Sequence, residues 1–138
     1  MSSTHRPREV RVATAVGHRF TQDIEVGPHR LVADEPTELE GEDLGLAPHD
    51  FVLAGLGACT SMTIKMYADR KGWPVASVDV RCNGRHEGGR YIIERAIALH
   101  GPLDAEQRAR LLEIANKCPV HKTLSGTIQI DTHERSAP

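Results

Sequence analysis

The sequence predicts an α+β fold, and three observations predict it. Short segments with two-residue alternation, near the start and again after Pro74, read as antiparallel strands. A long apolar segment from Pro48 to Lys71 reads as a helix. A further segment after Asp104 repeats its apolar residues at helical spacing. At 138 residues the chain can bury one core but not comfortably two, so a single domain over 1–138 is expected, with 1–9 and 133–138 frayed.

In chain order, Val10, Val12, Thr14 and Val16 share one face of a first strand, and Gly17-His18 offers a turn. Phe20, Ile24 and Val26 mark a second strand, Gly27-Pro28 a tight turn, and His29 to Asp34 a short third strand. Residues 34–45 are acidic and contain Pro and Gly, which reads as a solvated loop without the ordered spacing of a calcium site. The long helix follows. Pro48 suits its first position, Asp50 complements its dipole, and Gly72 with Pro74 ends it. At 1.5 Å per residue it would run roughly 36 Å. Because Phe51 to Cys59 shows no polar face, this helix is expected to be buried all round. So small a chain has few elements to wrap it, so a second copy is expected to cover part of it.

Val75 to Cys82 alternates again, Arg85 to Gly89 reads as a hairpin loop, and Tyr91, Ile93, Ile97 and Leu99 mark the returning strand. Asp104 and Gln107 are spaced as a capping box, and Glu106 and Arg110 as an i,i+4 ion pair. Leu111, Ile114, Ala115 and Cys118 share a face, and Pro119 either ends that helix or starts a new turn. Thr127 to Thr132 alternates as a last strand.

A net charge of -2 gives no reason to expect nucleic acid or a membrane surface as partner. No unbroken apolar run reaches the 18 or so residues of a membrane span. The first residues lack the apolar stretch of a secretory signal, so a cytoplasmic location is expected. Three cysteines, Cys59, Cys82 and Cys118, are too few and too odd for a secreted disulfide framework. Each could be a small core residue or a reactive thiol. His121 and Lys122 beside Cys118, and His49 and Asp50 at the start of the Cys59 helix, are groups that could perturb a thiol. Cys82 alternates with Val78 and Val80 and reads as core.

Leu56-Gly57-Ala58-Cys59-Thr60-Ser61-Met62-Thr63, followed by Tyr67-Ala68 and Arg70-Lys71-Gly72, resembles the cysteine helix of the OsmC/Ohr family. Cys118-Pro119-Val120-His121 resembles the family's second cysteine motif, and Asp34-Glu35-Pro36 is similar to a segment of one branch. The resemblance runs from about Val10 to Thr132. It implies an OsmC-like fold: an antiparallel sheet, a long buried central helix carrying a cysteine, and an intertwined homodimer. It also implies a thiol-dependent peroxidase that reduces organic hydroperoxides, with Cys59 attacking and Cys118 resolving. An external dithiol of lipoyl type would be the reductant, and no cofactor is implied. Arg19, within Thr14 to Arg19, best matches the family's arginine motif, with Arg30 as competitor. The sequence departs from the family at His49, where peroxidase members carry a glutamate. Two other readings stand beside this one. A dimer without enzyme activity could bind a small apolar ligand near Cys59, or Cys59, Cys118, His121 and His49 could hold zinc.

Overall fold

The computed structural model describes residues 7–137, so parts of the two ends expected to fray lie outside the described residues. The described chain divides into two compact units, one ending at Val52 and the other beginning at Leu53.

The first unit is an antiparallel meander of β1 (Val10–Thr14), β2 (Gln22–Val26) and β3 (His29–Ala33), in that order. Val10 lies opposite Val26, and Val26 opposite His29 across the Gly27-Pro28 turn. Gly27 has φ +55°, which an L side chain adopts only with strain. The first strand stops two residues short of the predicted alternation. Ala15 N–H makes the last bond, to Thr21 O at 2.9 Å, and Val16 stands 99% exposed beside the turn at Gly17.

The acidic loop is solvated except at its first residue, which corrects the sequence reading. Asp34 is buried. Its carboxylate accepts from the Thr21 hydroxyl at 2.9 Å and from the backbone N–H groups of Glu35 at 2.8 Å and Leu44 at 3.3 Å. Burial opposes ionisation, but the Thr21 hydroxyl and these N–H groups outweigh it and hold Asp34 below the usual carboxylate range. The loop folds tightly around this anchor through a short 3-10 turn at Thr37–Leu39. A Cβ at Gly45 would overlap the carbonyl of Val32, so that glycine is a packing requirement.

The second unit begins within α1 (Pro48–Lys71). Asp50 accepts from Ala47 N–H at 3.0 Å at the helix start, and Gly72, with φ +70°, ends it. Then come β4 (Ser77–Glu87) and β5 (Arg90–His100), paired antiparallel from Ser77 opposite His100 to Glu87 opposite Arg90. The predicted five-residue hairpin loop is only two residues long. Gly88 and Gly89 both have positive φ, which matches the right-handed twist of the strands and lets pairing run to the tip. α2 (Ala105–Ala115) starts with the capping box, Asp104 accepting from Gln107 N–H while Gln107 accepts from Asp104 N–H. Arg110 does not pair with Glu106. It donates to the Tyr67 hydroxyl at 3.1 Å and lies over that ring, which places Glu113 rather than Glu106 within 2.9 Å. Pro119 starts a new helix, α3 (Pro119–Ser125), and Cys118 is its N-cap.

The core joins Ile64 and Ala68 of α1, Leu111 and Ala115 of α2, and Val75, with Val78, Ile97 and Leu99 packed against them from the hairpin. Only one stripe of α1 is buried, Leu56, Thr60, Ile64 and Ala68 at a spacing of four. Within one chain the expected all-round burial is not reached, because the hairpin and the short helices cover a single side. Met62 remains 59% exposed. By length and composition alone α1 is apolar enough to cross a membrane, although Lys65 interrupts its apolar run. The strand expected at Thr127 to Thr132 does not form. Its alternation has no neighbouring strand to pair with among the described residues, and Ile130 is 82% exposed.

Candidate functional site

The second unit brings Cys59 and Cys118 together at the first turn of α3. Pro119 takes the first helical position, where a missing N–H costs nothing. The next two N–H groups each find a sulfur. Val120 N–H donates to Cys59 Sγ at 3.5 Å, and His121 N–H donates to Cys118 Sγ at 3.3 Å. Cys59 is half-buried and Cys118 fully buried, and both are free thiols. Burial pushes the Cys59 thiol up, the Val120 N–H pulls against it, and the neighbouring Cys118 thiol pushes it up again.

Thr60, one residue along α1, is buried and touches Cys118 Sγ at 3.8 Å. Its hydroxyl donates to Leu56 O at 2.7 Å and accepts from Arg95 Nη1 at 3.0 Å. Arg95, half-buried on β5, also donates to Asn116 Oδ1 at 2.9 Å and Ala115 O at 3.4 Å. Arg95 was missed in the sequence, although a signal was present. It alternates with Tyr91, Ile93, Ile97 and Leu99, so it occupies an inward position where a charge is unusual. Beside it lies a cavity of about 330 Å³, lined by the apolar Leu56, Ile93 and Leu124 and by Tyr91, Arg95, His121 and Ser125 with their polar groups.

Burial and then the charge of Arg95 push His121 down, so it is a neutral imidazole near pH 7 rather than a cation beside Cys118. Lys122 is exposed. Cys82 is half-buried with Val78 and Val80, near enough to α1 that a Cβ at Gly57 would lie 3.8 Å from its sulfur. Arg19 belongs to the first unit, where it lies 3.6 Å from Glu40 and over the ring of Phe20. Arg30 pairs with Glu25, and His49 is exposed at the start of α1. Among the described residues, no three His, Cys, Asp or Glu side chains cluster to hold a metal, so the zinc reading lacks a ligand set.

Two adjacent thiols, each facing an N–H donor, can be oxidised by two electrons to a disulfide. The family described as OsmC-like protein matches residues 41–133, a span that includes both cysteines. The chain belongs to the OsmC-like protein family. An OsmC-like protein from Mycoplasma pneumoniae superposes with a TM-score of 0.75 at 18% identity, over 88% of this chain and 89% of that one. An organic hydroperoxide resistance protein OsmC from Legionella pneumophila gives 0.65 at 19% identity, over 88% and 90%. The organic hydroperoxide resistance protein OhrB of Bacillus subtilis gives 0.62 at 16% identity, over 88% and 92%. At these identities the likeness establishes the OsmC-like fold. A sequence comparison with curated proteins finds no match.

Proposed function

We propose that this OsmC-like protein is a thiol-dependent peroxidase that reduces organic hydroperoxides through Cys59 and Cys118. The observation that carries the reading is the placement of both sulfurs on consecutive N–H groups of α3. Cys59 is the attacking thiol because it is the less buried of the two. Its thiolate attacks one peroxide oxygen, the O–O bond breaks, and the alkoxide takes up a proton to leave as an alcohol. Cys59 becomes a sulfenic acid. Cys118 then attacks Cys59 Sγ, the S–O bond breaks, and hydroxide leaves as water with the Cys118 proton. An external dithiol restores both thiols by exchange. Burial disfavours the Cys59 thiolate, and the Val120 N–H partly offsets this.

The test is a steady-state assay with an excess of dithiol. The apolar members of the cavity lining, Leu56, Ile93 and Leu124, would meet a hydrocarbon tail. An alkyl hydroperoxide should therefore turn over at least about tenfold faster per mole than hydrogen peroxide, as expected from ~1.4 kcal/mol of tail burial. Equal rates would remove the organic specificity. Tail binding with no turnover of either oxidant would favour the rival reading, a binding protein without enzyme activity, which the same cavity also supports.

The functional unit in this reading is a homodimer. The apolar side chains left outside on α1, Met62 and Met66, and those at the C-terminal end, Ile128 and Ile130, are what a second copy would cover. Sedimentation at micromolar concentration should give twice the mass of the chain, and a monomer would refute it.

A further inference from the structure

The Thr60 hydroxyl has one hydrogen and two lone pairs. Its hydrogen is on Leu56 O at 2.7 Å, and one lone pair receives Arg95 Nη1 at 3.0 Å. What remains on Thr60 for Cys118, 3.8 Å away, is the second lone pair, so in this arrangement Thr60 can only accept from the thiol, which also lies beside the Cys59 sulfur. A thiolate in the same place has no hydrogen to give. The hydroxyl can meet it by turning about its C–O bond, moving its own hydrogen from Leu56 O to Cys118 Sγ. Leu56 O is not orphaned by the turn, because as a helical carbonyl it keeps the N–H of residue 60. The oxygen of Thr60 stays anchored by Arg95 in both arrangements. A hydroxyl whose oxygen already accepts from a cation is a stronger donor.

Arg95 is built for this position. Asn116 Oδ1 and Ala115 O fix its guanidinium just ahead of Cys118 in the chain. The ion pairs among the described residues include none to Arg95, so no carboxylate cancels its charge. The groups that surround Cys118 are Cys59 from α1, Arg95 through Thr60 from β5, and the neutral His121 of α3, whose N–H is the second donor to the sulfur.

We infer that Thr60 and Arg95 form a positioning couple for Cys118, with Thr60 accepting from the thiol and donating to the thiolate. Its use in resolving a sulfenic acid rests on the peroxidase reading, but the ionisation itself does not. The experiment therefore needs no peroxide. In protein carrying Cys59→Ser and Cys82→Ser, Cys118 is the sole thiol. Its ultraviolet thiolate absorbance is followed against pH in the folded protein, with circular dichroism recorded in parallel. Thr60→Val keeps the shape and removes the hydroxyl, and it should leave roughly tenfold less thiolate at a given pH, the loss of one charge-assisted hydrogen bond. Thr60→Ser should titrate as the parent does. Arg95→Gln should move the titration in the same direction as Thr60→Val. An unchanged titration in Thr60→Val overturns the couple. If Thr60→Val does not fold, an unchanged titration in Arg95→Gln overturns it instead. A protein inert towards peroxide that still shows both shifts keeps the couple and loses the peroxidase. An active peroxidase showing neither shift does the reverse.

Discussion

Cys59→Ser should abolish hydroperoxide turnover, a loss of ~10³-fold or more of the kind seen when a nucleophile that acts as part of a unit is removed. Cys118→Ser should instead permit one oxidation and stop there. The difference follows from where the sulfurs sit. Cys59 is half-buried and can be reached, whereas Cys118 is sealed and touches Thr60 and the His121 N–H. Without Cys118 there is no neighbouring thiol to expel water from the Cys59 sulfenic acid, so that species should accumulate. Mass spectrometry after one equivalent of hydroperoxide reads both variants. The parent should lose two hydrogens as a Cys59–Cys118 disulfide, and Cys118→Ser should gain one oxygen at Cys59. Oxygen arriving first at Cys118 would reverse the assigned roles. Serine is the suitable replacement at 118, because its oxygen can still accept the His121 N–H and cap α3.

Leu111→Ala should destabilise the protein by about 3 kcal/mol, within the range for leucines cut back in closed cores. Leu111 is fully buried among Ile64, Ala68, Val75 and Ala115, where α2 lies against α1. Elements from three parts of the chain meet there, so the space left behind cannot close without moving a helix. Leu112, the next residue, is exposed, and Leu112→Ala should fall within about 0.5 kcal/mol of the parent. Urea unfolding of the two variants gives the comparison. Similar losses for both would mean that a second surface buries Leu112 as well.

Where local chemistry decides, the sequence was legible. The Asp104–Gln107 capping box is settled by neighbouring residues, whereas the hairpin-tip glycines and Pro119 marked only the breaks, whose form as a two-residue turn and a helix start the structure decides. The cysteine pair was legible only as two motifs, because the approach of residue 59 to residue 118 depends on packing between elements distant in the chain. Arg95 was passed over for a different reason, although its phase with Ile93 and Ile97 pointed inward. A charged residue in an alternating strand is ordinarily assigned to solvent, and what keeps Arg95 inside is a set of neutral acceptors from α1 and the α2–α3 junction. The same dependence on distant partners undid the Glu106–Arg110 pair, where Tyr67 of α1 claims the guanidinium. It also undid the last strand, since alternation shows which side chains match and not whether another strand is available to pair.

The segment between Cys59 and Cys118 contains the whole β4–β5 hairpin and α2. A bond between the two sulfurs would therefore close a ring of about 60 residues around most of the elements that build the core. In polymer language, such a closure removes roughly 4 kcal/mol of freedom from the unfolded chain by the loop-entropy relation. Oxidation in the proposed cycle would thus staple this half of the molecule, and reduction would release it. The dithiol that completes the cycle would then work against a topological constraint as well as against the stability of a sulfur–sulfur bond.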